Sequence, residues 1–149
     1  AGARSSLSID MSPNYIDWAR HNFAANGIDT RKHILLAEDC IQWLEQAIET
    51  DAGQFDLIYL DPPTFSNSKR MQSTLDIQRD HVDLIGAALQ LLSDDGVLVF
   101  VTNHQRFKLD EAAFEAAGWP AKNISAQTID RDFQRSQKIH QCWLFGEDD

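Results

Sequence analysis

The sequence predicts an α/β fold built on a mostly parallel sheet, with an antiparallel pair of strands near its C-terminal end. Short β-branched runs alternate with segments in which apolar residues recur every three or four positions. The chain has 149 residues, of which 43% are apolar and 24% charged, so it can bury a core and is not a disordered tail. Its longest apolar runs have the length of strands, so no membrane span is expected.

The first predicted strand is followed by a well-marked helix. Residues 7–9 form the strand, which ends at Asp10. Ser12 and Pro13 are typical of the N-cap and first position of a helix, and Gly27 is placed to end it. The apolar residues on one face of that helix are Ile16, Ala19 and Phe23.

A second and a third strand enclose the next helix. Residues 33–37 form the second strand, and Glu38 and Asp39 follow it directly. The helix has apolar residues at amphipathic spacing, namely Cys40, Trp43, Leu44, Ala47 and Ile48. Residues 55–60 form the third strand, whose apolar character predicts burial on both faces.

The second half of the chain continues this alternation. A polar loop over residues 64–71 leads to a helix with the apolar face Val82, Ile85, Leu89 and Leu92. Asp94, Asp95 and Gly96 predict a turn into a strand at residues 97–102.

The last third of the chain predicts one helix and two strands. A loop at residues 103–108 precedes a short helix at residues 110–117, which Gly118 stops. Strands are expected near residues 124–129 and 139–145. The short connection between them favours antiparallel pairing.

Polar residues follow four of the predicted strands at the point where each strand ends. They are Asp10, Asp39, Asp61 and Asn103. Ligands bind outside the carboxyl ends of the strands in open parallel sheets, so we expect these side chains to line one pocket. For Asp39 alone, a role as an ordinary helix N-cap is an equally good interpretation.

Two of these acids suggest an adenosine site. Asp10 ends a strand and precedes a helix, where a carboxylate can accept hydrogen bonds from ribose hydroxyl groups. Asp39, at the end of the next strand, can receive the exocyclic amine of an adenine ring. Together they predict ribose on the first acid and the base on the second.

Two consecutive prolines follow the third acid. Pro62 and Pro63 lack a backbone donor and hold the chain after Asp61 in an extended, stiff loop. Bare carbonyl groups in such a loop suit the edge of a planar base, on which Phe65 can stack. An ordinary strand end with Phe65 in the core is the structural alternative.

The charge distribution leaves the question of a nucleic-acid partner open. A net charge of −10 disfavours binding to a phosphate backbone. Nine of the thirteen basic residues nevertheless fall from Lys69 onward, and they are Lys69, Arg70, Arg79, Arg106, Lys108, Lys122, Arg131, Arg135 and Lys138. One basic face and a scatter of solvated charges are equally consistent with this pattern.

The cysteines and the N-terminus say little about partners. Cys40 and Cys142 lie far apart and form neither a disulfide framework nor a metal-ligand pattern, so no metal is expected. The first residues contain no apolar segment of the secretory type, which makes a cytoplasmic location the expectation.

The order of Asp10, Asp39 and Asp61 with its two prolines resembles the class I S-adenosylmethionine-dependent methyltransferases. More closely, the chain resembles the C-terminal half of the ribosomal RNA large subunit methyltransferase K/L family. The segments that carry this resemblance are ARSSLSIDMSPNYIDWARHNFAANG, FDLIYLDPPTFSNSKRM with DIQRDH after it, and RSQKIHQCWLF. The resemblance covers nearly the whole chain.

This resemblance implies a Rossmann-like fold and S-adenosylmethionine as the cofactor. It also implies that this half methylates N7 of a guanine in large-subunit (23S) ribosomal RNA, while another half of the parent protein methylates a guanine N2. Asp10 with Met11 would hold the cofactor ribose, and Asp39 with Cys40 the adenine region.

The resemblance assigns the remaining roles to residues from Asp61 onward. The residues that would border the methyl-transfer site are Asp61, Pro62 and Pro63, with Asp61 also facing the cofactor. The residues that would lie on the nucleotide side are Phe65, Asn67, Lys69, Arg70 and Asn103.

The chemistry of guanine N7 agrees with the residues near the prolines. This atom offers an in-plane lone pair and no proton, so methyl transfer requires positioning and desolvation but no general base. In the family, amino-group methyltransferases place an aromatic residue directly after the prolines, and Thr64 stands there instead. Methylation of cytosine C5, the alternative, requires a cysteine nucleophile, whereas Cys40 and Cys142 are more typical of structural thiols.

The resemblance also predicts a missing part. The family's fold opens with a strand and a glycine-rich turn, and the nine residues before Asp10 hold no G-x-G element. The absent strand would lie between those that end at Asp10 and Asp61. We therefore expect residues 1–149 to be a partial catalytic domain without the parent's N-terminal domains. Such a chain should bind S-adenosylmethionine poorly, have little activity alone and tend to associate.

Three other classes of protein share parts of the pattern. A phosphoacceptor receiver-type signalling domain would use Asp61, but it needs an acidic pair at the first strand end, where Asp10 has no acidic neighbour. A nicotinamide-dependent oxidoreductase would use Asp10, but its glycine motif is missing from the sequence. An inactive binding module with a cofactor cleft is also consistent with these residues.

Overall fold

Strands and helices alternate along the chain, as the sequence predicts. The computed structural model describes residues 2–66, 74–133 and 139–146. Two compact units are present, Ala1–Gln46 and Ala47–Asp149, and the boundary falls within one helix. This alternation and the sheets described below confirm the predicted α/β class.

The first unit is built on two parallel strands. Its elements are β1 (Ser6–Ile9), α1 (Pro13–Ala25), β2 (His33–Leu36) and the start of α2 (Cys40–Thr50). Ser6 lies opposite His33 and Ile9 opposite Leu36, so both strands end at the same edge. Because parallel strands need a crossover connection, α1 returns the chain to the start of β2.

The residues that begin and end α1 act as the sequence predicts. Ser12 is the N-cap, and its Oγ accepts a hydrogen bond from the amide of Tyr15 at 3.4 Å. Pro13 occupies the first turn, where its missing amide costs no helical hydrogen bond. Gly27 follows the helix with a φ of +65°, a conformation that a side chain would strain.

The second unit contains a four-stranded mixed sheet. Its elements are β3 (Phe55–Leu60), β4 (Phe65–Ser66), β5 (Leu75–Asp76), α3 (Ile77–Leu89), β6 (Leu92–Thr102), α4 (Glu111–Ala116), β7 (Lys122–Asn123), α5 (Ser125–Thr128), a 3₁₀ turn (Arg131–Phe133) and β8 (Gln141–Phe145). The order in the large sheet is β3-β6-β8-β7. β3 is parallel to β6, whereas β8 is antiparallel to both of its neighbours. The predicted antiparallel C-terminal pair is therefore confirmed.

The position of the first strand of that pair was predicted wrongly. Residues 124–129 were expected to be a strand, but the strand is Lys122–Asn123 and α5 follows it. The side-chain oxygen of Asn123 accepts hydrogen bonds from the amide of Ser125 at 3.0 Å and from its hydroxyl at 2.7 Å. These local bonds turn the chain and start the helix.

The turn predicted at Asp94 to Gly96 is also wrong. These residues form a bulge within β6, where Phe55 lies opposite Leu92 and Leu57 opposite Val97. Leu92, predicted on the helix face, therefore belongs to this strand. The bulge needs glycine, since a Cβ on Gly96 would lie 2.8 Å from the carbonyl oxygen of Phe55.

Gly96 also faces a second glycine, which follows β8. Gly146 has a φ of +88°, and a Cβ added to it would lie only 2.3 Å from the carbonyl oxygen of Gly96. Neither position can therefore carry a side chain without movement of the backbone.

β3 is not buried on both faces, contrary to the prediction. Leu57 is 64% exposed and Tyr59 63% exposed. The strand lies at the end of the sheet order, and among the described residues it pairs only with β6. An apolar run predicts burial from composition alone and does not fix the position of the strand in the sheet.

The core of the second unit lies between α3 and the central strands. Phe100, Phe107 and Trp143 contact one another, with ring centroids 5.4–5.8 Å apart. The α3 residues Ile85 and Leu89 are buried against this side of the sheet, as the helical periodicity predicts. The strands that carry Asp61 and Asn103 at their ends are thereby held by a packed interior.

Candidate active site

Asp10 extends the first strand pair by one residue. Its amide donates a hydrogen bond to the carbonyl oxygen of Leu36 at 3.1 Å, which continues the β1–β2 ladder. Its Oδ1 atom accepts one from the amide of Ser12 at 2.7 Å. The carboxylate is thus half-buried, fixed at the start of α1 and still able to accept further hydrogen bonds.

Asp39 caps helix α2. Its Oδ1 atom accepts hydrogen bonds from the amides of Ile41 at 3.0 Å and Gln42 at 3.4 Å. The N-cap interpretation is therefore confirmed for this residue. A capping carboxylate keeps lone pairs for a ligand, so the role in an adenosine site remains a prediction.

Cys40 lies beside both acids. Its thiol donates a hydrogen bond to the carbonyl oxygen of Ile9 at 3.5 Å. Burial raises the pKa of the Cys40 thiol to about 11, and the charges of Asp10 and Asp39 contribute to this rise. Together with the half-buried Met11, these residues gather at the carboxyl edge of the first unit's sheet.

In the second unit, Asp61 and the two prolines follow β3 directly. Leu60 is paired with Phe100, so Asp61 and Pro62 continue alongside the last residues of β6. Burial raises the pKa of the Asp61 carboxyl above its usual value, and the nearby His140 partly offsets this effect. Asp61 therefore carries its charge in a desolvated position at the carboxyl edge of the sheet.

A hydrogen bond joins the proline loop to the loop that follows β6. The hydroxyl of Thr64 donates to the side-chain oxygen of Asn103 at 3.1 Å. The carbonyl oxygen of Thr64 also accepts from the amide of Ile77 at 3.2 Å, which ties the loop to α3. Asp61 and Asn103, predicted from separate strand ends, thus lie on two connected loops of one unit.

Phe65 is on the surface and not in the core. It is 62% exposed and lies in β4, whose two residues pair with β5 within the segment predicted as a polar loop. The alternative that placed this ring in the core is therefore wrong. Its stacking on a base stays a prediction.

The loop of residues 103–110 is held from three sides. Gln141 donates to the carbonyl oxygens of His104 at 3.1 Å and Phe107 at 3.3 Å. His81, which is buried, accepts a hydrogen bond at Nε2 from the amide of Asp110 at 3.1 Å, and Gln78 binds the backbone of Lys108. The loop therefore presents the exposed side chains of Arg106 and Lys108 from a fixed backbone.

The sequence argument missed His140. Its Nε2 atom lies 2.8 Å from the hydroxyl of Thr128, and its protonated form lowers the pKa of the Asp61 carboxyl across the end of β6. A residue that precedes an antiparallel strand lies at the edge where the parallel strands end. The position of His140 could therefore be inferred only in part from the sequence.

Several predicted residues lie outside the described part of the chain. They are Asn67, Lys69, Arg70, Arg135 and Lys138. Their roles stay predictions, as does a single pocket lined by the acids of both units. Among the described residues, no helix is long and apolar enough to cross a membrane, and no His, Cys, Asp and Glu side chains form a metal-binding group.

The chain is similar to segments of much longer curated proteins named ribosomal RNA large subunit methyltransferase K/L. It is 54% identical over 146 residues to the one from Hydrogenovibrio crunogenus, which covers 98% of this chain and 20% of that protein. Relatives from Cellvibrio japonicus and Aliivibrio fischeri are 53% and 50% identical over 143 residues, 96% of this chain and 18% and 20% of theirs. The resemblance seen in the sequence is confirmed, and the chain spans about a fifth of these relatives.

Solved structures show the same fold at low sequence identity. SMU.776, solved as a complex with SAH, superposes with a TM-score of 0.74 at 20% identity, covering 98% of this chain and 40% of that one. The SAM-dependent methyltransferase from Agrobacterium tumefaciens gives a TM-score of 0.68 at 16% identity, covering 93% of this chain and 47% of that one. No family model matches the chain. The Rossmann-like methyltransferase fold is thereby confirmed.

Proposed function

We propose that this chain, which aligns with one segment of ribosomal RNA large subunit methyltransferase K/L, is part of an enzyme that methylates N7 of a guanine in large-subunit ribosomal RNA. The observation that carries the proposal is the 54% identity over 98% of the chain to a relative of that name. We place the activity in the cytoplasm, on free or partly assembled ribosomal RNA, with residues 1–149 as part of one catalytic domain.

The first unit fits the nucleoside part of S-adenosylmethionine. Asp10 and Asp39 end two neighbouring parallel strands, and both act on the thiol of Cys40. In this proposal Asp10 accepts hydrogen bonds from the ribose hydroxyls and Asp39 receives the adenine amine, with Met11 and Cys40 beside them. When bound, the cofactor supplies an electrophilic methyl group on a sulfonium.

The second unit supplies the groups that suit the target base. Pro62 and Pro63 have no amide hydrogens, so their loop offers only acceptors to the N–H groups of a guanine edge. Asp61 carries a partly desolvated charge at the same sheet edge. A guanine becomes cationic when its N7 lone pair forms the new bond to carbon, and a nearby carboxylate stabilises that charge as it develops.

The two cysteines do not suit the alternative of cytosine C5 methylation. That reaction needs a thiolate nucleophile. The pKa of Cys40 is raised to about 11 by burial and by two carboxylates, so its thiolate is scarce at neutral pH. Cys142 is 2% exposed within β8, and its burial also raises the pKa of the thiol.

The proposal can be tested in a chimera. This chain replaces the matching 146 residues of the Hydrogenovibrio crunogenus relative, and the purified chimera is incubated with S-adenosylmethionine and an unmodified large-subunit rRNA transcript. Nuclease digestion and mass spectrometry should then show 7-methylguanosine. The same chimera with Asp61→Ala should lose this product at least about a hundredfold, the usual cost of removing an electrostatic group from an active site.

Two results would contradict the proposal. One is 5-methylcytidine as the new product, and the other is no 7-methylguanosine from a chimera that is folded by circular dichroism. Calorimetric titration of the 149 residues alone tests the separate expectation that their affinity for S-adenosylmethionine is low.

A further inference from the structure

His140 and Asp61 flank the end of the same strand. Gln141 lies opposite Thr102 in the antiparallel β6–β8 pair, so His140 stands beside the residues that leave β6. On the other side of β6, Leu60 lies opposite Phe100, and Asp61 is the next residue. The imidazole therefore stands at the carboxyl edge of the sheet, where the proposed methyl-transfer site lies.

The imidazole of His140 is held by one of its two nitrogens. Its Nε2 atom lies 2.8 Å from the Oγ1 of Thr128. That hydroxyl also lies 3.1 Å from the carbonyl oxygen of Ser125 and 3.5 Å from that of Ile124, and both carbonyl oxygens can only accept. All of these groups are satisfied together when the hydroxyl donates within its own helix and Oγ1 accepts from Nε2–H.

The sheet itself fixes the position of Thr128. The amide of Cys142 donates to the hydroxyl of Ser125 at 2.9 Å, and the amide of Ile124 donates to the carbonyl oxygen of Cys142 at 2.9 Å. α5 has only four residues, so it depends on these bonds to β8 for its place. Thr128 is thus anchored to the strand that His140 precedes, and the ring has a defined orientation.

This arrangement gives the second nitrogen a defined role. In a neutral ring whose Nε2 carries the proton, Nδ1 has a lone pair and can only accept. No described residue donates a hydrogen bond to Nδ1. The Asp61 carboxylate, which interacts with His140 at this edge, is an acceptor too. A ligand edge that carries N–H groups complements such a set, as the N1–H and N2 amine of guanine do.

We propose that His140 is a base-contacting residue of the methyl-transfer site, that its Nδ1 accepts a hydrogen bond from an N–H group of the target guanine, and that Thr128 is the positioning residue that keeps Nδ1 free of a proton. This rests on the proposed function. It adds a residue outside the strand-end acids and the proline loop, and it explains why a four-residue helix is tied to the last strand.

The tautomer can be measured on the 149-residue chain without any reaction. Long-range ¹H–¹⁵N correlation spectra, with His140 identified by its loss in His140→Gln, should show Nε2 protonated and Nδ1 unprotonated in the neutral ring. Thr128→Val should mix the two tautomers, whereas Thr128→Ser should keep the Nε2–H form. An Nδ1–H tautomer in the unsubstituted chain would overturn the proposal.

The contact with the base is tested in the chimera described above. His140→Ala should lower kcat about tenfold, because a hydrogen bond that orients the base is lost, while the Kd for RNA changes less than about threefold. Thr128→Val should lower kcat about fivefold, and Thr128→Ser should keep it within about twofold. Thr128 is exposed, so neither of its variants removes a buried group.

The two proposals fail in different ways. An unsubstituted chimera that makes no 7-methylguanosine contradicts the proposed function. An active chimera whose His140→Ala variant keeps its kcat within about twofold contradicts the assignment of His140. Equal losses in Thr128→Val and Thr128→Ser would assign this residue to packing and would overturn its positioning role.

Discussion

The side-chain amide of Gln78 forms two hydrogen bonds with the backbone of Lys108. Its nitrogen donates to the Lys108 carbonyl oxygen at 2.9 Å, and its oxygen accepts from the Lys108 amide at 2.8 Å. The two residues are 30 positions apart, so this pair attaches the loop after β6 to the first turn of α3. The side-chain amide of Gln78 thus satisfies both the N–H and the C=O of Lys108, as the backbone of a neighbouring strand would.

We expect Gln78→Ala to destabilise the second unit by about 1–3 kcal/mol, because two backbone groups lose their partner. Urea denaturation measures this loss, and hydrogen exchange should show faster exchange at the Lys108 amide. Gln90→Ala is the matched control, since Gln90 is exposed at the other end of α3 and its side chain donates to Gly86 within its own helix. Equal effects of the two changes would show that the Lys108 contact contributes nothing.

The exposed cations of this loop give a prediction about RNA. Reversing both charges, Arg106→Glu with Lys108→Glu, should weaken RNA binding by the chimera and reduce the slope of log K against log salt by about 1–2. Lys32→Glu is the control, because Lys32 is an exposed cation before β2 in the first unit. Filter binding at several salt concentrations measures both, and an unchanged slope would mean that Arg106 and Lys108 touch no phosphate.

Asp61 should lower the stability of the fold at neutral pH. Burial raises its folded pKa above the ordinary value of 3.8, so the ionised form costs free energy whenever the pH exceeds the folded pKa. Asp61→Asn should therefore increase the free energy of unfolding at pH 7. This gain should shrink as the pH falls toward 3.8, where the unfolded carboxyl is protonated as well. Urea denaturation across that range measures it, and a loss of stability at pH 7 would contradict the argument.

The pKa of the Asp80 carboxyl is shifted in the opposite direction from that of Asp61. A hydrogen bond from the Arg79 side chain is the largest cause that lowers the pKa of this carboxyl below 3.8. Its stabilising contribution is present above 3.8 and disappears as the pH falls through the lower folded value. Asp80→Asn should thus reduce stability at pH 7, and the difference should vanish in acid. The same denaturation series checks both residues.

The exposed face of β3 should make the chain associate. Leu57 is 64% exposed and Tyr59 63% exposed on a strand that, among the described residues, pairs on one side only. Leu57→Lys should lower the concentration-dependent increase of the sedimentation coefficient, since a charge on an edge strand opposes pairing. Ile28→Lys, at a 37% exposed position outside the strands, should leave it unchanged. Association that persists in Leu57→Lys would locate the contact elsewhere.

Local chemistry explains which elements the sequence predicts correctly. The start of α1 follows from Ser12 and Pro13, and its end from Gly27, because caps act within one turn. The same holds for α4, where Asp110 caps the first turn and Gly118 follows the last. The acids at the strand ends also lie where the predicted alternation of strands and helices places them.

The errors concern properties that depend on strand pairing. The exposure of Leu57 follows from the place of β3 in the sheet, which its own residues do not encode. Asp94 and Asp95 are typical of a turn, but the pairing of Phe55 with Leu92 keeps them inside β6. His140 was missed for the same reason, since only the register of β8 brings it to the end of β6.

The two ends of the β6–β8 pair differ in how well they tolerate substitution. At one end, Gly96 and Gly146 approach so closely that neither tolerates a Cβ, so sequence variation there is incompatible with the backbone. At the other end, Asn103 and His140 lie outside the tightly packed interior, where exchanges alter contacts and leave the strands intact. Contacts at one end can therefore change over an unchanged scaffold, and substitution scans should find that the two ends tolerate exchanges very differently.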